Sequence, residues 1–261
     1  GMTSTGGLNN KGTIFQYNPS TNILTKKFDF DGTNSGSTPY AALTQATDGM
    51  LYGMTYDGGS NSYGVIFQFD PLTAIFTKKM DFVGTNGGAP MGSLIQASDG
   101  KLYGMTYYGG AILGNGILFQ YDPLTNIFVE KSEFDNGLYG GTPKSTFMEA
   151  SDGKLYGLSE SGLNYSGVMF QYDPITSAIT TKIPFQEGIN GRNPSSKLLL
   201  ALDGMLYGTT SYGGAFNKGT LFQYNPSNHV YTKKMEFDYN TTGGVPTSAL
   251  VQTSDGMLYG T

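Results

Sequence analysis

Five aspartates, Asp48, Asp99, Asp152, Asp203 and Asp255, each stand four residues ahead of a tyrosine: Tyr52, Tyr103, Tyr156, Tyr207 and Tyr259. A ring of equivalent carboxylates could ligate cations, and a ring of phenols could offer flat faces for sugars to stack on. Each aspartate is alone beside a glycine, however, whereas calcium needs several oxygens gathered at one point. Asp-Gly between two apolar runs is a hairpin signal. The aspartates are therefore assigned to type I′ turns, with positive φ at both central residues. The tyrosines are assigned to packing between neighbouring repeats, each hydroxyl reaching a polar partner. No metal site and no cofactor follow from either set.

The segments downstream of those tyrosines are more site-like. They read Thr5-Gly6-Gly7-Leu8-Asn9-Asn10, Tyr56-Asp57-Gly58-Gly59-Ser60-Asn61, Tyr107-Tyr108-Gly109-Gly110 and Ser211-Tyr212-Gly213-Gly214-Ala215-Phe216-Asn217. Glycine lets a ligand approach the backbone, tyrosine offers a stacking face, and asparagine both donates and accepts hydrogen bonds. Loops on rigid scaffolds commonly carry binding function. The candidate ligand-binding residues are Tyr56, Asp57, Asn61, Tyr107, Tyr108, Tyr212 and Asn217, expected to form more than one weak site. The plainer alternative is that the glycine pairs only satisfy a tight turn.

Catalysis needs an acid and a base in different environments, so the informative places are where one repeat departs from the rest. The position of Gln45, Gln96 and Gln252 becomes Glu149 and Leu200, and the small residues Ala42, Ser93 and Ala249 become Thr146 and Lys197. Glu160 and Arg192, the sole arginine, lie in the same two repeats. A carboxylate near a lysine could be a hydrolytic pair; drift at solvated positions explains the same substitutions, and no catalytic residue is assigned. The sole histidine, His229, falls in a surface turn where other repeats carry Asn22, Ala74, Asn126 and Ala178. That placement argues against a Ser-His-Asp triad or a histidine metal site.

These residues are positioned by one recurring element. The hexapeptide DGxLYG returns at 48–53, 99–104, 152–157, 203–208 and 255–260, with steps of 51, 53, 51 and 52 residues between the aspartates. A period near fifty in a chain rich in β-formers and glycine marks a stacked or radial repeat. The stretch from Gly92 to Phe134 shows one unit. It predicts strands at 93–97, 101–108, 116–121 and 127–134, joined by Asp99-Gly100, the glycine loop and the Asp122-Pro123-Leu124-Thr125 turn. The last strand carries lysines in other repeats (Lys26-Lys27, Lys78-Lys79, Lys233-Lys234), the mark of a protected edge. Four antiparallel strands, increasingly polar outward, form a β-propeller blade. Gly1-Met2-Thr3 matches Gly53-Met54-Thr55, and Gly260-Thr261 begins the same phrase, so the step around the ends is also 52 residues. The expectation is a single all-β domain over 1–261, a five-bladed β-propeller. Its ring is closed by a blade shared between the N- and C-termini, residues 247–253 pairing with 11–30. Both ends fall in mid-repeat, which reads as a monomeric domain of a longer chain.

Composition narrows the function classes. Charged residues are 13% and the net charge is −5, with no block of one sign. Such a surface has little attraction for phosphate backbones or anionic lipid, so nucleic acid is not an expected partner. No run approaches the roughly 20 apolar residues a membrane helix needs, and no signal peptide is present. Without cysteine there is no disulfide or thiolate chemistry.

The unit, loosely DGxLYGxTxxGGxxxxGxxFxYxPxT, resembles the GloVer tandem repeat of bacterial exported and cell-surface proteins, over the whole chain. Departures are local: Gly162-Leu163 replaces the double glycine, and Arg192 replaces a glycine or serine. The resemblance implies an extracellular or cell-surface location and a repeat architecture; it carries no catalytic residues to transfer. Taken together, the sequence reads as a non-catalytic binding or structural module whose partner is a glycan or a protein. The alternatives are a glycoside-active enzyme with an asymmetric channel site around Glu149, and a purely architectural spacer.

Overall fold

The computed structural model describes residues 1–261 except Leu113, Leu163, Asn164 and Ser195. The chain divides into two compact units, Gly1–Glu133 and Phe134–Thr261. The first holds a three-stranded sheet, β1 (Met2–Thr3), β2 (Thr13–Asn18) and β3 (Ile23–Asp29), followed by two four-stranded sheets. These are β4 (Thr44–Gln45), β5 (Leu51–Met54), β6 (Val65–Phe69) and β7 (Phe76–Asp81), then β8 (Ile95–Gln96), β9 (Leu102–Met105), β10 (Ile117–Asp122) and β11 (Ile127–Glu133). The second holds β12 (Met148–Glu149), β13 (Leu155–Ser159), β14 (Val168–Tyr172) and β15 (Ile179–Pro184), then β16 (Leu199–Leu200), β17 (Leu206–Thr210), β18 (Thr220–Asn225) and β19 (Val230–Glu236). A two-stranded hairpin, β20 (Val251–Gln252) and β21 (Leu258–Tyr259), ends it. Every pairing is antiparallel between sequence neighbours, as a blade requires. Among the described residues the sheets number six, four of them four-stranded, the first three-stranded and the last two-stranded, against the five expected. No helix among the described residues is long and apolar enough to cross a membrane.

The Asp-Gly turns differ from the type I′ expectation. Gly100 has φ +80° while Asp99 is not in the left-handed region, and the Gly100 amide donates to the Ala97 carbonyl. This is a type I turn closed by a left-handed glycine, the three-residue hairpin loop. Asp99 favours it because its Oδ1 accepts the Lys101 amide at 2.9 Å, an Asx turn. The first strand is also shorter than expected, two residues in each complete sheet.

Two motifs of the repeat fit each other across a strand pair. Gly104 of DGxLYG lies opposite Phe119 of GxxFxY, and a Cβ there would stand 2.5 Å from the ring. The ring covers the bare backbone, and Gly53/Phe67, Gly157/Phe170 and Gly208/Phe222 repeat the fit. Around these pairs the core is sheet against sheet: in the first unit, Met54, Ile66 and Phe82 pack with Leu94, Ile117, Phe119 and Tyr121. In the second, Leu158, Met169 and Phe185 pack with Leu198, Leu206, Phe222 and Tyr224.

The outer strand carries a bulge in every repeat, where register jumps past Lys27, Lys79, Lys131, Lys182 or Lys234. A bulge twists an edge away from further pairing. It also brings Lys26, Lys78 and Lys233 onto the acid three residues later, Asp29, Asp81 and Glu236.

Candidate binding surface

The repeated aspartates and tyrosines are joined in a relay. The Tyr103 hydroxyl donates to Asp99 Oδ2 at 2.8 Å and accepts from Gln120 Nε2 at 2.8 Å. The same triplet holds Asp48, Tyr52 and Gln68, then Asp152, Tyr156 and Gln171, then Asp203, Tyr207 and Gln223. Burial, then the adjacent aspartate, pushes the Tyr52, Tyr156 and Tyr207 hydroxyls above the usual phenol range. With hydroxyls engaged, and Tyr52, Tyr103 and Tyr156 buried and Tyr207 half-buried, these four tyrosines serve packing; the fifth of the set, Tyr259, is exposed. Among the described residues no group of three or more acids or histidines gathers to hold a metal ion.

The glycine loops join one repeat to the next. Asp57 bridges Ser37 and Tyr108 bridges Gly88 in the first unit; Ser161 bridges Gly141 and Tyr212 bridges Arg192 in the second. A Cβ on Gly109 would lie 2.3 Å from the Gly84 carbonyl oxygen, so the first glycine of the pair permits backbone contact between repeats. The second gives room to an acid at the end of the outer strand: Asp81 accepts the Ser60 amide, Glu133 the Ala111 amide and Glu236 the Ala215 amide. Where the pair becomes Gly162-Leu163, the acid position holds Pro184, opposite Val168 as Asp81 is opposite Val65. Leu163 itself lies outside the described residues.

Of the candidate residues, the first unit holds Tyr56, Tyr107 and Tyr108 on successive repeats and pairs Tyr56 with Tyr40, which the sequence reading missed. Tyr40 and Tyr56 meet edge to face at 5.3 Å, and Tyr107 and Tyr108 at 4.3 Å. Burial first, then Tyr108, Asp57 and Tyr40, raises the Tyr56 hydroxyl above its ordinary value. Asp57 and Asn61 are exposed, and Asp57 lines a 400 Å³ polar cleft with Lys11, Asp31, Ser37, Thr38 and Ser62. Tyr212 and Asn217 belong to the second unit. The Asn217 side chain accepts the Gly213 amide at 3.0 Å, closing its own loop. The Arg192 guanidinium lies 4.9 Å over the Tyr212 ring, with its Nε 3.1 Å from Glu187 at an ion-pair distance but not aligned as a hydrogen bond. The signal for Tyr40 was its place after Pro39, where other repeats carry Met91, Lys144 and Thr247.

The departures singled out for catalysis have structural surroundings. Gln96 Oε1 accepts the Thr47 amide at 2.7 Å and its Nε2 donates to Gly100, while Gln252 accepts the Leu202 amide at 2.8 Å. Position 149 is therefore a joint position; Glu149 is half-buried and makes contacts of its own, and Lys197 is exposed. Glu160 is ion-paired with Lys144. His229, at φ +61°, sits 3.0 Å from the Tyr224 hydroxyl. Its equivalents are Asn22, Ala74, Asn126 and Ser177, each at positive φ. Ser177, not the expected Ala178, is the equivalent in the fourth repeat, since it stands three residues after Pro174 as His229 does after Pro226.

Residues 1–150 and 129–261 match the Gloeobacter/Verrucomicrobia repeat. No curated protein matches the sequence. Among solved structures, TolB from Acinetobacter baumannii aligns with a TM-score of 0.53 at 12% identity, over 90% of this chain and 51% of that one. The extracellular domain of a hybrid two-component system from B. thetaiotaomicron aligns at 0.60 and 12%, over 99% and 32%. A gluconolactonase from Xanthomonas campestris aligns at 0.58 and 11%, over 96% and 75%. At such identities the likeness is one of fold, and the fold is propeller-like. This chain spans about half of the TolB chain and a third of the two-component chain.

Proposed function

We propose that this chain, which belongs to the Gloeobacter/Verrucomicrobia repeat family, is a non-catalytic binding module of an exported or cell-surface bacterial protein. Its ligand in this reading is a carbohydrate, met by the loops between the second and third strands. One observation carries the proposal: the invariant parts of the repeat are consumed by the scaffold. Aspartate, tyrosine and glutamine form relays, and the glycine pairs admit backbone and acid. What remains solvated and variable is the aromatic and amide content of the loops. A likeness to both the extracellular domain of a two-component system and a gluconolactonase shows how little the fold alone decides. The reading sets aside a hydrolytic site at Glu149, since that position in its siblings staples one repeat to the next.

The finer architecture in this proposal is five blades. The three-stranded sheet and the terminal hairpin are complementary in content: Phe15 already covers Gly1, but this sheet lacks a first strand and the Leu-Tyr that opens the second, and the hairpin supplies both as Val251–Gln252 and Leu258–Tyr259. Beside Gly260 lies a 410 Å³ cleft lined by Leu221, Met235, Phe237, Leu250 and Leu258. A blade assembled from both parts would fill it.

Screening the purified chain on a glycan array tests the functional reading. Retention on one class of polysaccharide without its turnover is the expected result. Turnover abolished by Glu149→Gln would replace this reading with an enzyme, and no retention at all would leave the architectural spacer.

A further inference from the structure

We propose that saccharide contact is confined to one place, a platform in the first unit built from Tyr40, Tyr56, Tyr107 and Tyr108 beside the polar cleft at Asp57, and that the ligand is a neutral oligosaccharide. The inference rests on the carbohydrate reading above and sharpens it, because equivalent repeated sites were the expectation.

The platform combines exposed ring faces with fixed geometry. Tyr40 and Tyr108 remain 56% and 46% exposed, while Tyr56 and Tyr107, half-buried, hold them by edge-to-face contact. Backbone bonds between successive repeats lock the segments: the Tyr56 amide donates to Thr38, the Asp57 amide to Ser37 and the Tyr108 amide to Gly88. Rings held before binding lose little entropy when a ligand arrives. Phenol rings present an apolar face with a hydrogen-bonding rim, which suits the alternating C–H and O–H surface of a sugar. The adjoining cleft shares Thr38 and Asp57 with the same segments and adds Lys11 and Ser62. Of its two carboxylates, Asp31 is engaged by Asn34 and Ser35 of its own loop, while Asp57 and the Lys11 ammonium, both exposed, supply acceptor and donor for ring hydroxyls.

The other repeats lack this arrangement. At the places of Tyr40 and Tyr56, the second unit carries Lys144 and Glu160, bound to each other as an ion pair. Its remaining loop aromatic at the position of Asp57 and Tyr108 is Tyr212, and that face is covered by Arg192. The first repeat has Ser4 and Thr5 there. Among the described residues, paired loop tyrosines therefore stand only at the two successive junctions of the first unit, Tyr40 with Tyr56 and Tyr107 with Tyr108.

Isothermal titration of the intact chain with cellohexaose, xylohexaose, laminarihexaose and mannohexaose, one at a time, tests this. For the hexasaccharide that binds, one site per chain is expected, with Kd on the order of 0.1–1 mM. Tyr40→Ala and Tyr108→Ala should each weaken it at least about tenfold, equivalent to about 1.4 kcal/mol, at an unchanged urea midpoint. Tyr212→Ala should leave it within about twofold, the scatter of a neutral substitution. Binding that survives both platform substitutions, that is lost with Tyr212→Ala, or that saturates at two or more sites overturns the single platform and leaves the carbohydrate reading standing. Failure of all four sugars to bind overturns both.

Discussion

A phenol inside a sheet needs partners for its hydroxyl, and each complete repeat supplies two. Replacing Tyr103 by phenylalanine keeps the ring but strands Gln120 Nε2 and removes a donor from the Asp99 carboxylate. The expected cost is about 1–3 kcal/mol, the range for losing a hydrogen bond to a charged group in a part-buried site. Urea unfolding of Tyr103→Phe measures it, and a midpoint equal to that of the parent would show the relay to be energetically idle. The tyrosine one register step beyond that glutamine follows similar logic. Tyr17 donates to Asn22, Tyr121 to Asn126, and Tyr224 meets His229, whereas Phe69, without a hydroxyl, faces Ala74. This coupling was present in the sequence as residue pairs five apart. It went unread because the turn's left-handed residue, not its polarity, identifies the position, and backbone sign is invisible in a list of side chains.

At the scale of the element, the glycines divide by what surrounds them. Gly100 has φ +80° and nothing within 4 Å of a built Cβ, so Gly100→Ala carries only left-handed strain, about 1–2 kcal/mol. Gly109 has a similar φ of +88°, but its Cβ would meet the Gly84 oxygen at 2.3 Å and Gly87 backbone at 2.8 Å. Backbone cannot rotate aside as a side chain can, so Gly109→Ala should cost at least about 3 kcal/mol, in the tail reserved for such collisions. Thermal unfolding of the two variants side by side decides it; equal losses would mean that the joint between repeats yields freely. The hairpins themselves were legible, since Asp-Gly between apolar runs encodes its own turn, although the turn proved to be type I with a left-handed glycine. The joint was not legible. Its acid lies 21 or 22 residues beyond the loop amide it accepts, and the clue was a coincidence of losses, Leu163 where a glycine stands elsewhere and Pro184 where an acid does. The platform tyrosine Tyr40 escaped for the same reason: its neighbour Tyr56 is close in space only because the Thr38 carbonyl takes the Tyr56 amide.

For the whole molecule, local periodicity specified the kind of sheet but not how many sheets are complete, because that depends on segments at opposite ends of the chain. The relay offers a way to decide it. Gln16 sits on β2 where its siblings meet a tyrosine, and Tyr259 with Asp255 sits on the terminal hairpin where its siblings meet a glutamine. Neither half shows the relay bonds of the complete sheets: Asp255 keeps the turn bond from the Met257 amide and otherwise accepts from Thr253, and Tyr259 is 55% exposed. If the partial sheets form one blade in solution, as proposed, Leu258 and Tyr259 take the register opposite Tyr17 and Gln16 that Leu102 and Tyr103 hold opposite Tyr121 and Gln120. Tyr259→Phe should then destabilise the chain by an amount comparable to Tyr103→Phe, and Gln16→Ala combined with Tyr259→Phe should cost less than the two alone added together, because one hydrogen bond is removed once. A surface tyrosine with no partner would instead lose no more than about 0.5 kcal/mol. A near-zero loss in Tyr259→Phe, additive with Gln16→Ala, would therefore separate the two partial sheets and remove the five-bladed ring.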